Sequence, residues 1–190
     1  MRARPAVISA LLLSLVGLSS ASAQQPPRTN PQAKVISEFG NRVKTYLALR
    51  DKLEDTLKDM PKQTDPASAD RHQRALQKLV QTSRKSAKAG DIFTPDTQQL
   101  VRHLLRPVFS GASGHQIRNE IHDNEYKGNA PLAVNARYPD EVPLSTMPPQ
   151  ILQALPKLPG ELEYRFIETS LILFDPHAHI IVDYMEHAYQ

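Results

Sequence analysis

One stretch near the C-terminus, residues 162–185, constrains the fold more than any other part of this 190-residue chain. β-Branched and aromatic residues dominate it, and two short polar stretches interrupt it, which is typical of adjacent strands joined by turns. The second turn begins with Asp175, whose carboxylate can accept hydrogen bonds from backbone N–H groups two residues on, and continues with Pro176, whose fixed φ suits a type I turn. We therefore predict an antiparallel meander of three strands, at residues 162–167, 170–174 and 179–185.

Two long helices are predicted near the start of the mature chain, from apolar residues spaced three and four apart. Each begins at a capping residue followed by proline, Asn30-Pro31 for the first helix and Asp65-Pro66 for the second. The helices are expected to cover residues 31–60 and 66–89, with Gly90 just beyond the second. Because the connection between them is short, we expect an antiparallel hairpin.

Two shorter helices and a proline-rich segment are expected between the hairpin and the meander. Thr94-Pro95 begins a helix that ends near Pro107, and a second helix is expected at residues 115–124. From residue 131 to residue 159, prolines alternate with apolar residues, which predicts an extended segment laid over the core. Within it we expect an edge strand at residues 132–136 and a short helix that begins at Pro148-Pro149.

Together these elements predict a single α+β domain over residues 31–190. Its parts are a helical hairpin (31–90), a second helical region (91–130), a proline-rich segment (131–160) and a β-meander (161–187), preceded by a flexible lead-in at 24–30. One face of the meander is expected to form the core, through Leu162, Tyr164, Phe166, Leu171, Leu173, Ile180 and Val182.

The first 23 residues have the features of a signal peptide. Arg2 and Arg4 precede a short apolar run, and small residues up to Ala23 form a cleavage site, so the mature chain is expected to begin at Gln24 in the periplasm or outside the cell. The apolar run is shorter than the roughly 20 residues of a membrane span, which favours cleavage over the alternative of an uncleaved N-terminal anchor. The sequence has no second hydrophobic run of sufficient length, so no span is expected after cleavage. Losing both arginines lowers the net charge from +3 to +1, which argues against a nucleic-acid partner. The chain has no cysteine and hence no disulfide.

Histidines near the second turn of the meander suggest a metal hypothesis. His177 and His179 are two residues apart and close to Asp175, and imidazole and carboxylate groups suit zinc, nickel or copper. Asp183 and His187 follow, and the fourth helix could contribute further ligands, namely His115, His122 and Asp123. The alternative is that these are solvent-exposed histidines, with no cofactor.

A nucleophile hypothesis can be drawn from Ser113 and His115. They follow a flexible turn and lack the strand–turn–helix context of a nucleophile elbow, so a small hydrolase is the least favoured function. Glu161, Glu163 and Glu168 could supply paired carboxylates, but Glu161 and Glu163 precede or edge a strand and are interpreted as its solvated face. The sequence therefore predicts a protein that is not an enzyme.

The second helix is expected to carry a basic face, formed by Arg71, Arg74, Lys78, Arg84, Lys85 and Lys88. One interpretation is a solvated helix face. The other is a docking face for an anionic surface or another periplasmic protein. A non-catalytic binding or interaction module is thus the leading functional hypothesis, and a periplasmic metal-binding or metal-stress protein is the alternative.

Several stretches, taken in order, resemble a family of small exported bacterial proteins of the acidobacterial and related Gram-negative type. They are residues 90–95, 134–139, 143–149, 155–159, 162–166, 171–174 and 180–183. The resemblance implies export and a shared fold, and it supplies no catalytic residues. The final strands are also similar to those of periplasmic nickel/cobalt-homeostasis proteins of the RcnB type, which implies a metal-related role.

Overall fold

A computed structural model of the chain describes residues 30–57, 65–123, 132–142 and 146–189. The predicted signal peptide, the lead-in up to residue 29 and the end of the first predicted helix lie outside these residues. Eight helices and strands follow one another in the described part: α1 (Pro31–Glu54), α2 (Pro66–Ser83), α3 (Pro95–Ser110), α4 (Gly114–Asp123), α5 (Pro149–Ala154), β1 (Glu163–Ile167), β2 (Ser170–Asp175) and β3 (Ile180–Met185). A 3-10 turn, Asp55–Leu57, extends α1. The predicted α+β fold with a C-terminal β-meander is confirmed.

The helices begin where the capping residues predict. The Asn30 carboxamide accepts a hydrogen bond from the N–H of Gln32 at 3.0 Å, and the Asp65 carboxylate accepts one from the N–H of Ser68 at 2.9 Å. Thr94 caps α3 in the same way, and proline follows each of the three caps. These side chains satisfy N–H groups that have no partner within their own helix.

The predicted end of α2 is wrong, because the helix ends at Ser83 and not near residue 89. The carbonyl of Arg84 accepts a hydrogen bond from Asn135 Nδ2 at 2.8 Å. The guanidinium of Arg84 donates to Asn135 Oδ1 at 2.8 Å and to the carbonyl of Val182 at 3.1 Å. These long-range bonds turn the chain inward after Ser83 and replace the next turn of helix.

Helix α3 ends near Pro107, as predicted, but Pro107 lies within its last turn, since the helix continues three residues further to Ser110. Proline lacks an N–H but keeps its carbonyl, and the carbonyl of Pro107 accepts a hydrogen bond from Gly111 N at 3.1 Å. The last turn of α3 therefore forms and carries Phe109 into the core, where its exposed fraction is 4%.

The three strands form an antiparallel sheet in the order β1-β2-β3. The predicted core face is confirmed: Leu162, Tyr164, Phe166, Leu171, Leu173, Ile180 and Val182 all belong to the main hydrophobic cluster. Phe39, Val43 and Tyr46 of α1 belong to the same cluster. The long first helix thus packs on the sheet.

The opposite face of the sheet is also covered, by part of the proline-rich segment that the sequence predicts to lie over the core. Ile172, Phe174 and Ile181 form a second cluster with Tyr138 and Val142 of the proline-rich segment. Hydrogen bonds join this segment to β3, from Asn135 N to the carbonyl of Ile181 at 2.8 Å and from Ile181 N to the carbonyl of Ala136 at 2.9 Å. The predicted strand at 132–136 does not form, since the pairing is limited to one isolated bridge, at Arg137.

None of the helices in the described segments combines the length and the apolar content needed to cross a membrane.

Candidate functional site

An open cavity of about 460 Å³ lies between α3, α4 and the last residues of the described chain. Three arginines line it: Arg102 and Arg106 from α3, and Arg118 from α4. His187 and Tyr189 contribute from the C-terminal tail, residues 186–189. We name this cavity the arginine cleft.

Stacked aromatic rings support the cleft. The rings of Phe109 and Tyr189 lie 4.1 Å apart at an interplanar angle of 15°, and Phe166 packs edge-on against Tyr189 at 5.3 Å. The tail is also bonded to the turn between β1 and β2, because the Tyr189 hydroxyl donates to the carbonyl of Glu168 at 3.3 Å. The floor of the cleft is therefore apolar and fixed to the sheet.

Two of the three guanidinium groups are held by oxygens that carry no formal charge. Arg102 Nε donates to the carbonyl of His187 at 3.0 Å, and its Nη2 donates to the carbonyl of Glu186 at 3.0 Å. Arg118 Nη1 donates to the carbonyl of Phe109 at 3.0 Å. These bonds orient the two side chains but do not neutralise their charge.

No carboxylate in the described segments forms an ion pair with any of the three arginines. Arg106 is exposed, and its guanidinium makes none of the hydrogen bonds found there. Unpaired guanidinium groups around one cavity create a positive potential that attracts anions. The cleft can therefore bind a carboxylate or phosphate group, for which guanidinium geometry is well suited.

A glycine permits α4 to begin close beneath the last turn of α3. A Cβ at Gly114 would overlap the carbonyl oxygen of Phe109, so any larger residue would displace the start of α4. The same carbonyl accepts the hydrogen bond from Arg118. The close approach at Gly114 thus helps to place Arg118 beside the two arginines of α3.

The predicted metal ligand Asp175 is fully buried, and both of its oxygens are already engaged. Oδ2 accepts a hydrogen bond from the Tyr46 hydroxyl at 2.5 Å. Oδ1 accepts from the N–H groups of His177 at 2.8 Å and Ala178 at 3.2 Å, and Arg50 Nη1 lies 3.8 Å from it. The predicted role of Asp175 in the turn is confirmed, and the carboxylate joins the sheet to α1.

The predicted metal site at Asp175, His177 and His179 does not assemble. His177 is exposed, whereas His179 is half-buried with Nε2 3.4 Å from Asp140 Oδ1. Throughout the described ranges, no group of three or more histidine, cysteine, aspartate or glutamate side chains is placed to hold a metal ion. The physical reason is that the Asp175 carboxylate is buried against α1, where its hydrogen bond with His177 is to the backbone N–H, whereas His177 is exposed.

The further ligands considered for that site are also dispersed. Asp183 is fully buried on β3 and accepts backbone hydrogen bonds, and His187 lines the arginine cleft. His115 lies on α4, where its Nδ1 is 3.3 Å from the Asn119 carboxamide. His122 is an exposed residue near the end of the same helix, and the side chain of Asp123 lies outside the described part.

The predicted Ser113–His115 pair does not form either. Ser113 is exposed in the turn before α4, and no hydrogen bond joins its hydroxyl to His115 among those of the described residues. The His115 ring instead contacts Asn119, one turn further along its own helix. A serine activated by this histidine is therefore not present in the structure.

The predicted basic face of α2 is divided by the early end of the helix. Arg84, Lys85 and Lys88 follow Ser83 and so lie beyond α2, and Arg84 turns inward to stack over the Tyr46 ring at 5.0 Å. Only three of the six basic residues remain on the helix, namely Arg71, Arg74 and Lys78. The charge of Arg74 is balanced by Asp70 at 2.9 Å and Asp140 at 3.1 Å. The continuous basic face is thus a wrong prediction.

Sequence reasoning missed the cleft, although one signal was present. Arg102 and Arg106 are four residues apart on α3, so their side chains share one face of the helix. Like charges at this spacing destabilise a helix slightly, so the pair is a weak sequence signal of an anion site. The contributions of Arg118 and His187 have no local signal, since they depend on tertiary packing.

Neither a family model, nor a curated protein, nor a solved structure matches this chain. The resemblance to small exported bacterial proteins and to the RcnB type therefore stays a prediction. The function has to be inferred from the geometry of the cleft.

Proposed function

We propose that this chain is a non-catalytic binding protein of the exported compartment, and that it holds an anionic ligand in the arginine cleft. The observation that carries the proposal is the set of three guanidinium groups, from two helices, without a carboxylate partner in the described segments. The volume of about 460 Å³ falls within the range of about 300–1,000 Å³ that is typical of small-molecule sites.

The use of the hydroxyl groups around the cleft favours binding over catalysis. The Ser110 hydroxyl donates to the carbonyl of Arg106 at 2.8 Å, and the Tyr189 hydroxyl donates to the carbonyl of Glu168. Both groups serve the local structure. The features of residues 1–23 support export, and a mature N-terminus at Gln24, measured by intact mass, is the result expected for the secreted protein.

Calorimetric titration and thermal unfolding test the proposal. The chain from Gln24 onward, which contains every described residue, is titrated at low salt with inorganic phosphate, benzoate and phenyl phosphate. When the free ligand concentration is 100 times the dissociation constant, binding should stabilise the fold by about 2.7 kcal/mol. If none of the three anions binds or raises the melting temperature, the proposal is wrong.

A pair of variants locates the binding. Arg106→Gln removes a cleft charge from an exposed side chain and should weaken anion binding about tenfold, which is the loss of one charge-assisted contact. Lys78→Gln removes the same charge from an exposed position on α2 and should leave affinity unchanged. Equal losses in the two variants would indicate attraction by overall charge, without a specific site.

A further inference from the structure

The arginine cleft offers more hydrogen-bond donors than one carboxylate can use. A guanidinium has five N–H donors, and those on Nε and Nη2 of Arg102 contact the carbonyls of His187 and Glu186 and the side chain of Gln98. Its Nη1 has no partner within the described ranges. Among the hydrogen bonds of the described residues, Arg118 contributes one, from Nη1 to the carbonyl of Phe109. Its Nε–Nη2 edge, which can bind two oxygens of one oxyanion, is left for a ligand.

Resting on the function proposed above, we infer that the ligand is an organic phosphate monoester. A phosphoryl group carries about −1.5 to −2 charges at pH 7 and three acceptor oxygens, which suits three guanidinium groups. A carboxylate has a single charge and two oxygens. It would compensate one of the three guanidinium charges of Arg102, Arg106 and Arg118, whereas a phosphoryl group compensates up to two.

The size and lining of the cleft indicate that the phosphoryl group carries an organic substituent. A free phosphate ion would occupy only a small part of about 460 Å³. Phe109, Ala188 and Tyr189 line the cavity beside the arginines, and such apolar surface binds organic groups by excluding water. The charged groups and the apolar floor thus correspond to the two halves of a phosphate monoester.

Four probes separate the contributions of charge and organic substituent. Phenyl phosphate has both features, inorganic phosphate lacks the ring, benzoate replaces the phosphoryl group by a carboxylate, and phenol lacks the charge. Calorimetry at low salt, with the chain from Gln24 onward, should give a dissociation constant for phenyl phosphate about tenfold or more below those of benzoate and inorganic phosphate. Phenol should not bind detectably.

Each other outcome overturns a defined part of the inference. If benzoate binds as tightly as phenyl phosphate, the phosphate class is wrong while anion binding stands. If inorganic phosphate binds as tightly as phenyl phosphate, the inference that the ligand carries an organic substituent is wrong. If none of the anions binds, the proposed function fails as well. The failure of the inference and the failure of the proposed function are therefore distinguishable.

Arginine-to-lysine variants test the predicted geometry. Arg118→Lys keeps the charge but removes the Nε–Nη2 edge, and it should weaken phenyl phosphate binding about tenfold. Because this variant also loses the bond to the carbonyl of Phe109, Arg106→Lys provides a second test at an exposed position where folding is not at risk. Affinity for phenyl phosphate that is unchanged in both variants would contradict recognition by guanidinium groups.

Discussion

Charged groups have opposite surroundings in two regions of the molecule. In the sheet, two carboxylates are buried and hydrogen-bonded by the protein itself, whereas the guanidinium groups of the arginine cleft lie at the surface. Asp183 is fully buried on β3, and its oxygens accept hydrogen bonds from the N–H groups of Gly90, Ile92, Phe93 and Tyr184, at 2.7–3.0 Å. Asp175 is buried with equally complete hydrogen bonding. The guanidinium groups of the cleft are at the surface, and within the described chain no carboxylate neutralises them.

This difference separates structural charge from charge that is left for a ligand. A buried ion is stable only when it has hydrogen-bond partners, so the bonds of Asp183 hold the loop between α2 and α3 against the sheet. Gly90 adopts φ +90° in that loop, which only glycine accepts easily. Unpaired surface charges contribute nothing comparable to the fold. Variants in the two regions should therefore affect different measurements.

The largest expected effect is that of Asp183→Asn. The new amide would direct its own donors at two of the backbone N–H groups, and the two unsatisfied donors should lower the free energy of unfolding by about 2–5 kcal/mol. Urea denaturation measures this loss. The control Asp70→Asn removes an exposed carboxylate paired with Arg74 and should cost less than about 1 kcal/mol. Similar losses in both variants would contradict the structural role of Asp183.

The next effect is that of Tyr46→Phe, which removes the hydroxyl that joins α1 to Asp175. Burial and the adjacent Asp175 carboxylate raise the pKa of Tyr46, so the phenol stays protonated and donates. Loss of this bond to a buried carboxylate should cost about 1.5–3 kcal/mol of unfolding free energy. Tyr184→Phe is the control, because its hydroxyl makes none of the described hydrogen bonds, and its expected cost is within about 0.5 kcal/mol.

The elements with local signals were predictable, and those that depend on distant contacts were not. Asn30, Asp65 and Thr94 identify the helix starts, because a cap acts on the residues that follow it directly. The turn at Asp175-Pro176 was predictable for the same reason. The end of α2 depends on Asn135, about fifty residues away in sequence, so periodicity placed it too late. A buried aspartate such as Asp183 is indistinguishable in sequence from an exposed one.

The candidate site shows the same division. Arg102 and Arg106 could have been recognised as a like-charged pair on one face of α3. The positions of Arg118 and His187 depend on the close approach at Gly114 and on the attachment of the C-terminal tail. The metal hypothesis failed because sequence proximity suggested that Asp175 and His177 share a surface, whereas one is buried and the other exposed.

A smaller effect is expected at His179. Its side chain is partly removed from solvent, as the buried carboxylates are and the exposed Arg102 and Arg106 of the cleft are not. Burial and the nearby Arg137 lower the pKa of His179, while Asp140 opposes the shift. The unfolded chain therefore binds a proton more readily, and stability is lost as pH falls from the ordinary value of 6.5 towards the lowered pKa. His179→Asn should reduce this acid sensitivity.

The variant suits its position because His179 has φ +54°, a conformation that asparagine tolerates well. The measurement is the free energy of unfolding between pH 5 and pH 7.5. His177→Asn is the matched control, since His177 is an exposed histidine two residues earlier, and His179→Asn should change the pH dependence more than this control does. An unaltered pH profile for His179→Asn would show that the burial of this ring does not affect its protonation.

The smallest expected effect is a gain in stability, not a loss, and it tests the arginine cleft itself. Arg102 and Arg106 are like charges four residues apart on α3, a spacing that destabilises a helix by about 0.2–0.5 kcal/mol. Arg106→Gln should therefore stabilise the ligand-free protein by about that amount at low salt, since glutamine and arginine have similar helix propensities. The gain should disappear at high salt, where the repulsion is screened, and it should be absent from Arg106→Lys. Loss of stability in Arg106→Gln would mean that Arg106 supports the fold, and the contrast between structural charge and charge left for a ligand would not hold.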